Sequence, residues 1–361
     1  VLNAATASSY DRRPGPAGLR AYISLPCVQE TRRALAVLAY DDIASIHYFG
    51  DTLKGYWTKD GDGIMDVIGK SFAEYPVLCK KCSELDREIG ERACACGKED
   101  YALLCSLAYR QTIAAHKLVC DRNGDLLFIS KECFSNGCAA TVDVSYPSIP
   151  LYLLYEPELV KGMLRPILKL SELPVWTYDF APHDAGRYPY VTGQVYALNE
   201  KKVQGFIQNG DVHLPYYQMP GDADLYHFSY QMPVEECGNM LIMAAAVAIC
   251  ENDVSFSLPY LSLYEKWAGY LLQYGEDPGE QLCTDDFAGH LAHNVNLSAK
   301  AIMGLAAYSR LLKMAGKASE GDRYYEAASR MAESWKQRAA SSAGHTRLTF
   351  DRDDSWSLKY N

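Results

Sequence analysis

The sequence predicts a mainly α fold, a toroid of helical hairpins whose polar loops gather at one mouth. Three observations point there. Apolar residues recur at spacings of three and four through most of the chain beyond residue 60. Long polar loops separate these stretches, and no strand–helix–strand alternation intervenes. About eight long helices are expected from this periodicity.

Residues 1–50 differ from the rest: "AYISLPCVQE" and "RRALAVLAYDDIASIHYFG" carry short β-branched and aromatic runs broken by Pro and Gly, the mark of strands or extended connections. From residue 64 to about 119, Ala102, Cys105, Ala108, Tyr109 and Ile113 fall on one helical stripe, and Gly97 divides the stretch into two amphipathic helices. "DRNGDLLFISKE" at 121–132 reads as a β-hairpin turning at Asn123-Gly124. Residues 145–155 and 157–173 form a helical pair, the second opening with Pro157 and carrying Glu158 in its first turn. The polar and aromatic excursion at 174–233 is longer than a connection requires, and such loops carry function. Helical spacing resumes at 234–252, 259–275, 292–316 and 320–339.

Composition narrows the partners. A net charge of −10 and a pI near 5.3 disfavour nucleic acid and anionic membrane, which reward clustered Lys and Arg. A small polar molecule is the expected ligand, and 27 tyrosines against 10 phenylalanines supply flat rings with hydrogen-bonding tips. The apolar run at 241–250 is shorter than the roughly 20 residues that span a bilayer, so no membrane helix is expected. No signal peptide is legible in the first residues. Among the 12 cysteines, Cys79, Cys82, Cys94 and Cys96 are spaced C-x2-C-x11-C-x-C, but the intervening "SELDREIGERA" is helical in character. Zinc sites present ligands on tight turns, so these read as helix residues, and neither a metal nor a cofactor is expected.

Four loops at helix ends concentrate reactive groups. "CAATVDVSYPSIP" holds Asp143 and Ser145, and "VWTYDFAPHDAGRYPY" holds Trp176, Asp179, His183, Asp184 and Tyr188. "MPVEECGNMLI" holds Glu235, Glu236 and Asn239, and "QLCTDDFAGHLAHN" holds Asp285, Asp286, His290, His293 and Asn294. Carboxylates around a shared cleft raise one another's pKa, leaving one protonated as general acid and another ionised as base. Simpler roles compete: Asp285 and Asp286 can cap a helix start, and one of Glu235 and Glu236 can face solvent at a helix N-terminus. His290 and His293 stand at i and i+3, the spacing of one helical face that could present metal nitrogens, but H-x-x-H with no third ligand is a weak signal and hydrogen-bonded core histidines are the preferred reading. Asn296-Leu297-Ser298 has the form of a glycosylation sequon but lies within a helical run.

The segments "AYDDIASIHYFG", "SNGCAATVDVSYPSIPLYLLYEPELVKGML", "VWTYDFAPHDAGRYPYVTGQ", "MPVEECGNMLIM" and "DPGEQLCTDDFAGHLAHNVNLSAKAIMGLAAY" together resemble the glutaminase A-like family of fungi and bacteria. The resemblance runs from about residue 35 to the end. It departs from the family pattern at Cys237, where a small hydroxyl residue is usual, and near Cys138, where an acidic one is. It implies an (α/α)6 six-hairpin toroid over residues 56–361, preceded by the closing part of a β-sandwich at 1–55. It also implies a secreted or cell-envelope enzyme that hydrolyses L-glutamine to L-glutamate and ammonia. A ring of six hairpins needs more helices than the periodicity supplies, so the toroid is expected to be incomplete at its C-terminus. The rest of a longer polypeptide would then be a partner, and the stripe Tyr324, Ala328, Met331 and Trp335 would lie exposed.

From the residue chemistry, Glu235, Asp285 and Asp286 are the candidate catalytic carboxylates: Glu235 or Asp286 as base toward water, the other or Asp285 as acid. Trp176, Asp179, His183, Asp184, Tyr188, Asn239, His290 and Asn294 are the candidate substrate-binding residues. Two other classes share these features, a glycoside hydrolase acting on a small sugar or oligosaccharide and a binding protein without turnover.

Overall fold

The computed structural model describes residues 35–132, 136–199, 202, 215–284 and 289–356. It is mainly α, as the periodicity predicts. Strands β1 (Ile46–Tyr48) and β2 (Asp51–Leu53) open it, followed by the long helical element α1 (Ile64–Ala114). α1 leaves helical geometry at Gly97 and Lys98, the latter with φ +64°. Asp86 and Ile89 line the same cleft as Tyr109 and Ile113, so its halves fold back on each other as the predicted pair of helices. β3 (His116–Cys120) and β4 (Leu126–Ser130) pair antiparallel with Leu118 opposite Phe128. Their turn places Gly124 at φ +88°, while Asp121 Oδ1 accepts the N–H groups of Asn123 and Asp125.

Short strands β5 (Cys138–Ala139), β6 (Gly186–Arg187) and β7 (Tyr190–Val191) complete a sheet of order β2-β1-β7-β6-β5. β1 runs parallel to β7, with His47 opposite Tyr190 and the two rings stacked 4.7 Å apart. The strands at 46–53 are thus hydrogen-bonded to the edge of the 174–233 excursion, the stretch singled out for function.

The remaining helices are α2 (Val142–Ser145), α3 (Ile149–Tyr155), α4 (Pro157–Ser171), α5 (Pro233–Glu251), α6 (Leu261–Tyr274), α7 (Val295–Met314) and α8 (Ala318–Arg338). α5 is the centre of the packing, flanked by α4, α6 and α7. Its proline at the first position and two glutamates in the first turn suit a helix start, and Asn252 ends it in the left-handed region at φ +52°. By length and hydropathy α5 could cross a membrane, which the run at 241–250 alone did not reveal, yet 78% of it is buried inside the protein. That is the position of a core helix. α5 and α7 cross where both carry glycine: a Cβ on Gly304 would stand 3.0 Å from the Gly238 Cα.

Two expectations fail here. α7 begins only at Val295, because Asn294 caps it, its side-chain oxygen accepting the N–H groups of Asn296 and Leu297. His290 and His293 therefore precede the helix, His293 at φ +62°, and share no helical face. The stripe on α8 is also not exposed. Ala328 and Met331 are buried, Tyr324 meets Tyr308 edge-on at 4.8 Å, and the Trp335 indole N–H donates to the Val295 carbonyl at 2.8 Å. The preceding helix α7 supplies the covering surface, since two antiparallel helices in a hairpin bury their facing stripes against each other. The described cysteines are not joined in disulfides.

Candidate functional site

The ends of three elements converge where the polar loops were expected to gather. Asp143 enters from the first turn of α2. His183 and Asp184 come from the segment before β6, locked to α2 by the Val142 N–H donating to the His183 carbonyl at 2.8 Å. Glu235, Glu236 and Asn239 come from the start of α5. All six side chains are buried, from 8% exposed for Asp143 to none for Asp184, Glu236 and Asn239. The expectation that one of Glu235 and Glu236 faces solvent is overturned, because α5 is enclosed on all sides at its N-terminal turn.

Buried charges require partners, and each finds a different kind. Asp184 accepts backbone N–H groups from Gly186 and Val195 at one oxygen and from Tyr196 at the other. It holds the His183 Nδ1 at 3.0 Å, while His183 Nε2 stands 3.6 Å from Asp143 Oδ1 and the ring stacks on Tyr196. Burial pulls the His183 pKa down, but Asp143 and the hydrogen bond to Asp184 outweigh it and hold it well above the usual imidazole range. The ring stands between two carboxyl groups that favour its protonated form.

Glu235 is satisfied on both oxygens. Oε1 takes the Lys300 ammonium at 3.0 Å and the Thr284 hydroxyl at 2.7 Å, and Oε2 takes the Thr284 N–H at 2.7 Å. Lys300 reaches it from α7 because Gly238 leaves room: a Cβ there would lie 2.6 Å from the Lys300 Cγ. Lys300 also lies 4.5 Å from the centroid of the Tyr146 ring.

Glu236 contrasts with its neighbour. Its Oε2 accepts from Asn239 Nδ2 at 3.2 Å, while its Oε1 is buried without a hydrogen-bond partner. Burial, with Asp143 and Glu235 adding to it against His183, raises its pKa well above the usual carboxyl range. Asp143 is raised too, first by burial, but His183 and the Thr284 hydroxyl, 3.2 Å from Oδ2, oppose the shift. Its Oδ1 has no hydrogen-bond partner either. Two close carboxyls in unequal surroundings separate into one that holds its proton and one that gives it up.

Oxygen and nitrogen atoms of Asp143, His183 and Glu236 all lie within 4.8 Å of one another, as do ligand atoms of Cys138, His183 and Asp184. Either group has donors a metal could use, provided His183 gave up a proton. Burial pushes the Cys138 thiol up to about 12, so it is no ready thiolate.

Of the sequence-derived candidates, His183, Asp184, Glu235 and Asn239 stand together in this cluster. Asp285 and Asp286 lie outside the described residues, just beyond Thr284. Trp176 is buried against the rings of Tyr178, Phe180 and Tyr226, its indole N–H donating to the Phe180 carbonyl. Asp179 is exposed; Tyr188 is half-buried before a cis proline, with Lys131 5.4 Å from its ring centroid. His290 is exposed beside Tyr230, and Asn294 is the helix cap, its Nδ2 also 3.6 Å from the Cys283 sulfur. Cys237, the point of departure from the family pattern, is buried and accepts the Ala181 N–H at 3.4 Å.

Sequence reasoning missed Lys300, Thr284 and Gln194, whose Oε1 accepts the His183 N–H. Lys300 was findable: it lies on the stripe Leu297, Ala301, Gly304, Leu305 and Tyr308, where a solvated lysine has no place. Thr284 and Gln194 sit in irregular loops, where no periodicity marks an inward residue.

Residues 98–361 match the family of the glutaminase A six helical-hairpin domain. The chain is 30% identical to glutaminase A of Aspergillus oryzae, over 80% of this chain and 38% of that protein. It is 27% identical to a "Probable glutaminase" of Arthroderma benhamiae, over 73% of this chain and 34% of that protein. The chain thus spans well under half the length of these relatives.

Proposed function

The chain belongs to the glutaminase A six-helical-hairpin family, and from that premise we propose that it hydrolyses the side-chain amide of L-glutamine, releasing L-glutamate and ammonia. The observation that carries the reading is the pair Asp143 and Glu236, buried carboxyls with ligand atoms within 4.8 Å of each other, each with an oxygen that has no hydrogen-bond partner, in unequal surroundings. Glu236 keeps its proton and serves as general acid to the leaving nitrogen. Asp143, whose raised pKa the neighbouring His183 opposes, is the carboxyl of the pair that gives up its proton more readily and takes one from the attacking water. The water oxygen bonds to the amide carbon, the C–N bond breaks, and nitrogen leaves as ammonia with the proton from Glu236. Asp184 fixes His183, and Lys300, Glu235 and Thr284 are clamped together. Glu235 then acts as a positioning residue, its oxygens already committed.

The glycosidase reading also draws support from one distance. Carboxyl oxygens within 4.8 Å of each other approach the roughly 5–5.5 Å separation of retaining glycosidases and fall short of inverting ones. Ammonia release from glutamine, measured beside a panel of aryl glycosides and with EDTA present, separates the two. Sugar release without ammonia would overturn the glutaminase reading, and turnover lost to EDTA and restored by one metal would overturn the acid–base mechanism.

A further inference from the structure

Resting on the amide reading, we propose that Asp143 Oδ1, Glu236 Oε1 and Asn239 Oδ1 form a receptor for the nitrogen released in the reaction, binding ammonium as a ligand in its own right. These three oxygens are buried acceptors without a hydrogen-bond partner, on side chains at least nine-tenths buried. Leaving such an atom unmatched is costly; Asp143 and Glu236 bring ligand atoms within 4.8 Å of each other and Asn239 is hydrogen-bonded to Glu236, so a donor-rich ligand suits the group. Asn239 lies one helical turn after Glu236, and its amide nitrogen already holds that carboxyl, leaving its oxygen for a second donor.

Charge points the same way. Asp143 and Glu236 hold one proton between them, so among the described residues of the cluster three ionised carboxyls, counting Asp184 and Glu235, stand against two buried cations, His183 and Lys300. The excess is negative, and it sits on the side of Asp143 and Glu236, since Asp184 has three backbone donors and Glu235 has Lys300. A cation entering there is favoured, and an ammonium offers N–H donors to carboxylate and amide oxygens alike. A divalent metal fits less well: His183, bridging two carboxylates, has no lone pair to give while it remains an imidazolium.

The site predicts competitive inhibition of amide hydrolysis by the product ammonium. It also predicts selectivity for unsubstituted amides, because N-methyl groups remove the donors these oxygens need.

The test uses the 361-residue chain without substrate. Thermal unfolding is followed in ammonium chloride, potassium chloride and tetramethylammonium chloride at equal ionic strength. Ammonium should raise the midpoint saturably, by about 4 °C at a roughly 100-fold excess over its dissociation constant. Tetramethylammonium should not, and Asn239→Ala and Glu236→Gln should each weaken the ammonium response at least tenfold. Equal stabilisation by potassium would make this a site for any monovalent cation and overturn the N–H reading. Stoichiometric zinc or manganese binding lost in Asp143→Asn would overturn it in favour of a metal. If ammonium binds but glutamine is not hydrolysed, the receptor stands and the substrate assignment falls. If glutamine is hydrolysed and ammonium neither binds nor inhibits, the receptor alone falls.

Discussion

α1 and α5 are both helical and both carry charged residues, yet the charges mean opposite things. Across the 51 residues of α1 the only buried residue is Ala93, and its ions form i,i+4 pairs such as Arg87–Glu91 with both side chains 64% exposed. α5 buries Glu235 and Glu236 at 1% or less. A solvated pair exchanges water for a partner at nearly equal energy, so it is dispensable. An enclosed carboxylate has lost its water and must be paired, protonated or waiting for a ligand. Glu235 takes the first course and Glu236 the second, one residue apart.

The contrast breaks most sharply at Lys300. Replacing it with Met leaves Glu235 buried without its counter-ion, with both side chains of the pair only 2% exposed. A loss of about 3–5 kcal/mol is expected, read from denaturant unfolding. A change under about 1 kcal/mol would mean that the pair behaves like a surface one. Glu236→Gln should leave stability near wild type, since a protonated carboxyl and an amide are similar. It should reduce amide turnover by about 100-fold or more. A variant that is folded and fully active would remove Glu236 from the chemistry.

Protonation gives a third comparison. Glu236 and Asp143 have raised folded-state values, so their stabilising protons are fully bound below the ordinary carboxyl range and lost as pH rises through the raised values. His183 is also raised; its contribution is complete below about 6.5 and declines as pH climbs through its folded value. Stability should therefore fall from mildly acidic toward alkaline pH. Glu236→Gln should flatten the part due to that carboxyl, as thermal melts across pH would record.

Smaller effects complete the series. Gly238→Ala forces a Cβ toward Lys300, 2.6 Å from its Cγ and 3.1 Å from its carbonyl oxygen, and should cost about 1–3 kcal/mol. Arg87→Ala on α1 should stay within about 0.5 kcal/mol of wild type. A large loss there would show that α1 is held by its charges after all.

The periodicity of apolar residues fixed which segments are helices, because burying one face of a helix imposes a spacing that survives in a single sequence. It located α4 through α8, the break at Gly97 and the hairpin at Asn123-Gly124. The loops carrying the cluster were visible as well, since Asp143, His183, Asp184 and Glu235 crowd short polar stretches between such segments. Which carboxylate is reactive was not visible, because adjacent glutamates look alike until Lys300 and Thr284 arrive from 65 and 49 residues away. Nor was the fate of the α8 stripe, since one amphipathic face is the same string of letters whether water or α7 covers it. Local patterns are written by each segment's own geometry. Partnership depends on groups brought together only when the chain is folded, and that the tertiary structure alone decided.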